Sequence, residues 1–207
     1  MIAFENIHVT GFDPAVRGMR NSWNSWGKSD SRGEEIGPCD IELMEKLCKA
    51  GPSHRKFMRM IEVYVDITAP FYWWKEFDTY KVGTVCNSCS TMHTLTSRPL
   101  TLDDFSIEHL NHPELEVFMD TILFLNSNRD KYLKATDIDE KTRLWNSIIQ
   151  MLPSSYNQRR TILLSYEVII NILQTRHSHK LEEWNKFCTD FVKLLKYEHL
   201  LYAAAGL

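Results

Sequence analysis

Two short stretches carry the residue types that do chemistry. In the first, Cys86-x-x-Cys89 is followed four residues later by His93, the spacing of half a metal site. Zinc normally takes four ligands, often as two such pairs, and the other cysteines stand alone at 39, 48 and 188. The pair therefore reads as ordinary thiols. The second stretch, "RHSH" from Arg176 to His179, sets two imidazoles two residues apart, which on a helix would not share a face. It reads as a solvated helix junction rather than a metal site. Arg176 itself follows an apolar run, where its planar fork of donors suits a carboxylate or a phosphate. A structural partner and a bound anion are both open to it.

Aromatic residues crowd the approach to the cysteines: Phe71, Tyr72, Trp73, Trp74 and Phe77. Such clusters are more often core than cofactor contacts. Thr84, Ser88, Ser90 and Thr91 lack a Ser-His-Asp order, so hydrolytic catalysis has little support.

The elements that must hold these residues follow from periodicity. Residues 2 to 10 alternate loosely and fit a strand. Ser22 to Asp40 is rich in Gly, Ser and charge and reads as a loop long enough for a substrate lid. Asp40 is placed to cap a helix to about Lys49, with Ile41, Leu43, Met44, Leu47 and Cys48 on its apolar face, stopped by Gly51 and Pro52. Around "MRMIEVYVDI", Ile61, Val63, Val65 and Ile67 point one way, the period of a half-buried strand. Pro70 ends it and suits the first turn of a helix over "FYWWKEFDTY". Helices are expected over Glu114–Leu133, Glu140–Met151, Asn157–Thr175 and Leu181–Leu201, the last with Trp184, Phe187, Phe191, Leu194 and Leu195 on one side. The class is α+β with a large helical share.

Composition bounds the rest. The 207 residues are 43% hydrophobic and 25% charged, ordinary globular usage. A net charge of -3 disfavours a general nucleic-acid binder. No segment approaches the roughly 20 apolar residues of a membrane span. The N-terminus lacks the basic region and apolar core of a signal peptide. A cytoplasmic protein is expected, and five cysteines do not suggest a disulfide framework.

Several stretches together resemble the flavin-dependent thymidylate synthases, through nearly the whole chain. "GMRNSW", Gly18 to Trp23, is similar to the family's early Ala-Arg-Val-Ser-Tyr. "DIELMEKLCKAGPSH", Asp40 to His54, is similar to the helix and turn that deliver a His to the flavin. "FMRMIEVYVDITAP" resembles the strand that ends in Ala-Pro. Met151 to Trp184 resembles the family's Leu-Pro turn, long central helix and closing Arg. The family signature is Arg-His-Arg, seven residues, then Ser. Counted from Ala-Pro, it falls here on Thr79, Tyr80 and Lys81, with Cys89 for the Ser.

The resemblance implies a single domain over 1–207, with a mixed sheet and a large helical half. It implies FAD as cofactor, NADPH and methylenetetrahydrofolate as co-substrates, deoxyuridylate or a related nucleotide as substrate, and a homotetramer with shared sites. His54, Lys81, Asn171 and Ser165 would face the flavin. Arg176, Cys89, Glu76 and Asn87 would face the nucleotide. Departures are chemical: Ile149 stands for a nucleotide-binding Arg, Met60 for a second His and Glu167 for a flavin-binding Arg. The last sets like charge near a flavin diphosphate. Two rivals stay open, an enzyme with another nucleotide or flavin and a non-catalytic binding or assembly protein on the same scaffold.

Overall fold

The strand anticipated from the period of two is the centre of the structure. In a computed structural model, which describes residues 1–207, Ile61, Val63, Val65 and Ile67 are all buried. The first leads into β2, and the other three line its core face. The elements in order are β1 (Ala3–Thr10), α1 (Phe12–Arg20), α2 (Pro38–Lys49), β2 (Glu62–Pro70), α3 (Phe71–Phe77) and β3 (Thr84–Ser88). Then follow α4 (Thr91–Thr94), α5 (His112–Lys134), α6 (Ile138–Met151), β4 (Asn157–Ser165), α7 (Tyr166–Arg176), α8 (Glu182–Lys186) and α9 (Glu198–Ala205). The α+β class with its large helical share stands. The sheet implied to be mixed is antiparallel, in the order β1-β2-β4-β3. Asp66 on β2 ties its neighbours together, accepting from Asn6 of β1 at 2.8 Å and from Thr161 of β4 at 2.6 Å.

The contacts gather into two units. Unit 1 comprises Met1, Thr68–Glu76 and Ser88–Arg159; unit 2 comprises Ile2–Ile67, Phe77–Asn87 and Arg160–Leu207. All four strands contribute residues to unit 2. Within unit 1, α5 and α6 pack over Leu95, Leu100, Phe105, Ile122, Leu125 and Ile148. Asn111 and Glu114 start α5 by reciprocal bonds at 3.1 and 2.8 Å, satisfying two amides that no helix turn can reach. Trp73 and Trp74 are buried, so the aromatic cluster is core. Trp74 donates its indole N–H to the Gln158 carbonyl at 2.9 Å.

Three expected elements differ. Asn157–Thr175 is not one helix: its first nine residues form β4, with Gln158, Ile162 and Leu164 buried on alternate positions. Ser165 then opens α7 by accepting from the Val168 amide at 3.4 Å. Leu181–Leu201 is broken as well. After α8 the chain widens into a π turn over Phe187–Phe191, tightens over Val192–Leu194, and reverses at Tyr197 with φ of 56° before α9. Trp184, Phe187, Phe191 and Leu195 are buried as expected, but Leu194 is exposed.

The third difference is the Ser22–Asp40 loop, which folds back on Asp40. Gly37 takes the N-cap position of α2, and Asp40 lies inside its first turn. The Asp40 carboxylate accepts from the Arg20 Nε at 2.6 Å, the Ser29 hydroxyl at 2.6 Å and the Ser31 hydroxyl at 2.7 Å. The amides of Asp30 and Ser31 add longer bonds, both at 3.2 Å. A helix-capping role is replaced by that of a hub for the loop.

Candidate functional site

The start of α7 and the turn before β3 enclose a cavity of about 560 Å³ in unit 2. That volume is in the range of small-molecule sites. Gly83 closes one side with φ of 77°, a conformation that costs a residue with a Cβ. A Cβ there would also meet Val168 Cγ2 at 3.3 Å and Ser165 Oγ at 3.7 Å. Polar groups on the wall are Arg59, Glu62, Thr84, Ser165, Glu167 and Asn171. The buried Thr84 hydroxyl has no hydrogen-bond partner, and such a group is satisfied by water or a ligand.

Glu167, the residue most at odds with an anionic ligand, is already matched. Arg55 grips it with Nε at 3.0 Å and Nη2 at 3.3 Å, and gives Nη1 to the Ala204 carbonyl at 3.0 Å. Arg55 and Glu167 are both buried. The cavity therefore meets a neutral pair where the residue type alone suggests a free carboxylate.

His54 lies elsewhere. It lines a second cavity of about 920 Å³, also in unit 2. The 3-10 turn Lys56–Arg59 serves both, giving Arg59 to the first cavity and Lys56 and Phe57 to the second. The second cavity carries Lys28, Lys46, Lys56 and the exposed ring of Trp23, with no acidic side chain on its wall. Its field favours anions.

Arg176 sits in a cage of aromatics at the end of α7. Its guanidinium carbon is 5.0 Å from the Trp184 ring centroid and 5.9 Å from that of Tyr80, within cation–π reach. Its Nε donates to the Tyr80 hydroxyl at 3.1 Å, and its Nη1 lies 3.0 Å from His179 Nε2. Tyr80 also pairs with the Thr175 hydroxyl at 2.9 Å. Tyr80 is thus an anchor for the end of α7.

The structure brings Ser165 and Asn171 together on one wall and sets His54 on another. Lys81 is exposed in the turn beside Gly83, and Asn87 is exposed on β3. Glu76 and Cys89 belong to unit 1. The Cys89 amide donates to the Arg159 carbonyl at 2.9 Å, and its carbonyl accepts from Gln158 Nε2 at 2.7 Å. Its thiol is exposed, as is that of Cys86. Cys48 and Cys188 are buried, and burial pushes both thiols up to about 12. Because the thiolate is the nucleophile, iodoacetamide at pH 8 should label Cys89 and Cys86 at least tenfold faster than Cys48 and Cys188. Peptide mass spectrometry reads this directly, and equal rates would contradict the burial of Cys48.

Sequence reasoning did not pick out Arg55, Arg59 or the three lysines, and weighed Thr84 only as a hydrolytic hydroxyl. Gly83, an isolated glycine before a β-branched pair, carried a signal for a special backbone position.

Comparison with solved structures identifies the scaffold. The chain is similar to the flavin-dependent thymidylate synthase ThyX of Helicobacter pylori, solved with FAD and dUMP. One match covers 100% of this chain and 99% of that one, at TM-score 0.71 and 19% identity. Another structure of the same protein with the same ligands matches over 95% and 96%, at TM-score 0.68 and 20% identity. The fold is that of ThyX. No protein-family model and no curated protein sequence matches the chain. On the ThyX scaffold the α7 cavity stands beside β3, and no helix is long and apolar enough to cross a membrane.

Proposed function

We propose that the protein is a cytoplasmic flavin-dependent methyltransferase of the thymidylate synthase type. In this reading it carries a one-carbon unit from methylenetetrahydrofolate to deoxyuridylate, with FAD as cofactor and NADPH as reductant. The observation that supports it is the α7 cavity, where Ser165 and Asn171 share a wall with Gly83 on a ThyX scaffold. The donor set fits a flavin nucleotide. In that cavity the orphan Thr84 hydroxyl, the Asn171 amide and Arg59 offer hydrogen bonds and the Arg55–Glu167 pair is neutral, while Lys28, Lys46 and Lys56 of the separate His54 cavity suit phosphates.

When bound, a flavin supplies hydride chemistry that no side chain can perform. The chain's own residues bind and orient. Asn171, Ser165, His54 and Lys81 hold the flavin. Arg176, with Cys89, Glu76 and Asn87, holds the nucleotide. Sites shared between the subunits of a homotetramer bring these residues together in this reading.

Absorbance near the flavin bands and titration with FAD test the proposal. Bound or recruited flavin, weakened at least tenfold by Asn171→Ala, is the expected result. A colourless protein that ignores added FAD would overturn it. Arg176→Ala should weaken dUMP binding by about 1.5–3 kcal/mol, the scale of a charge-assisted hydrogen bond, and Arg176→Lys should restore part of it. A second reading, the same flavin chemistry on another nucleotide, is favoured by the engagement of Tyr80 with Thr175 and Arg176. Flavin binding without dUMP binding would select it.

A further inference from the structure

The stretch Arg176 to His179, read from the sequence as a solvated helix junction, holds a conflict of hydrogen bonds. Arg176, His179, Tyr80 and Trp184 all belong to unit 2. On one side of Arg176 the donors run in a single direction. Its Nε donates to the Tyr80 hydroxyl at 3.1 Å, and Tyr80 pairs with the Thr175 hydroxyl at 2.9 Å. Thr175 gives its own proton to the Asn171 carbonyl at 2.9 Å, so Tyr80 is the donor to Thr175.

The other side does not resolve. His179 Nε2 lies 3.0 Å from Arg176 Nη1, and His179 Nδ1 accepts from the Leu181 amide at 3.1 Å. Both ring nitrogens therefore face N–H donors. A neutral imidazole has one bare nitrogen and one N–H. With the proton on Nδ1, the ring accepts from Arg176 and meets the Leu181 amide donor to donor. With the proton on Nε2, it accepts from Leu181 and meets Arg176 donor to donor. An imidazolium conflicts with both. The ring is held where it is. It packs edge-on against Trp184 with centroids 6.5 Å apart, its amide donates to the Arg176 carbonyl at 3.0 Å, and its carbonyl accepts from Asn185 Nδ2 at 3.0 Å.

We infer that His179 is a ligand-binding residue, which together with Arg176 forms a two-donor site for an oxyanion. The Leu181 amide sets the tautomer by claiming Nδ1, which leaves the imidazole proton on Nε2. An anionic oxygen that accepts from this Nε2–H and from Arg176 Nη1 removes the conflict. The Leu181 bond is kept, and both facing donors gain a charged acceptor, the stronger class of hydrogen bond. The Nε side of Arg176, with its consistent run of donors through Tyr80, keeps the guanidinium in place meanwhile. A phosphate and a carboxylate share the required chemistry. A nucleotide phosphate as the occupant rests on the thymidylate synthase reading; the oxyanion site does not.

Nitrogen-15 labelling of the histidines in the full chain tests the site, with the His179 signals assigned by their loss in His179→Phe. Long-range proton–nitrogen spectra at pH 8 distinguish a protonated ring nitrogen from a bare one. Before any anion is added, both His179 nitrogens should sit between those limits, as two tautomers exchange. Saturating dUMP or inorganic phosphate should carry Nε2 to the protonated limit and Nδ1 to the bare one. A shift with acetate but not with phosphate would keep the site and make its occupant a carboxylate. A shift with phosphate in a protein that does not bind dUMP would keep the site and remove the nucleotide. Binding of dUMP that leaves both nitrogens unmoved would overturn the site while the thymidylate synthase reading stands, and so would silence towards all three anions. Affinity gives a second readout. His179→Phe keeps a ring against Trp184 and should weaken dUMP at least tenfold, but deoxyuridine less than about twofold. Equal losses would show that His179 only shapes the junction. If His179→Phe does not fold, His179→Gln serves the assignment and the wild-type shifts decide.

Discussion

Replacing Asp40 with Ala should lower folding stability by about 3–5 kcal/mol at pH 7, the scale for breaking a buried ion pair. Asp40 is fully buried and Arg20 nearly so. The substitution strands the Arg20 charge and removes the acceptor for the Ser29 and Ser31 hydroxyls and the Asp30 and Ser31 amides. The Ser29–Ser31 stretch, next to the Lys28 wall of the larger cavity, then loses its anchor, while Glu34 and Ile36 keep their bonds to Phe12 and Tyr197. Asp40→Asn keeps one acceptor and should fall between.

The acid side gives a second readout. Burial pushes the Asp40 carboxyl up. Hydrogen bonds from Ser29, Ser31 and Arg20, with the Arg20 charge, outweigh it and hold the group below its ordinary value. A carboxylate with a depressed folded-state pKa stabilises the fold fully above its unfolded value of about 3.9. That contribution is lost as pH falls through the lower, folded value. Urea denaturation should therefore show a wild-type advantage over Asp40→Ala that is constant from pH 7 to 5 and shrinks below about pH 4. An advantage independent of pH would show that the carboxylate charge is not what holds the loop.

Arg55→Ala should be comparably severe, again about 3–5 kcal/mol, because it leaves Glu167 buried without a counter-charge and the Ala204 carbonyl without its donor. The double substitution Arg55→Met with Glu167→Leu should cost far less, since an apolar pair of similar volume needs no compensating charge. The single change should also weaken FAD, because the wall of the α7 cavity would then carry an unmatched carboxylate. The double change should leave the charge of that wall neutral. Chemical denaturation and FAD titration on the three variants separate these effects. An Arg55→Ala protein within 1 kcal/mol of wild type would show that Glu167 finds another partner or a proton.

β2 was legible because β-branched residues keep a period of two from Ile61 to Ile67. β4 was not, because Ile162–Leu164 runs straight into the apolar α7, and a short alternation ending in a continuous apolar run has the composition of one long buried helix. The Ser165 cap was the available boundary mark. The break before α9 rests on Tyr197 in the left-handed region, a conformation for which tyrosine gives no sequence signal. At the site, Ser165 and Asn171 were reached through the family resemblance alone, since residues six apart on a helix lie about 120° from each other and spacing does not pair them. The Arg55 partner of Glu167 was not reached, since nothing local links residues 112 positions apart. Asp40 looked like a helix cap because an acidic residue before an apolar period is the usual start signal. Its actual partners are supplied by a loop with no periodicity to read.

The interleaving of the two units has a consequence for how the chain is made. Unit 2 needs residues from both ends of the sequence, and Arg55 reaches its second acceptor on a residue 149 positions later. At about 5–20 residues per second of synthesis, Glu167 follows Arg55 by roughly 6–22 seconds. Throughout that interval one edge of β2, with its row of buried valines and isoleucines, waits for β4. The α5–α6 hairpin of unit 1 is built from near neighbours and can close first. Until β4 is made, the nascent chain therefore carries an open, apolar strand edge, the kind of surface that holding chaperones cover.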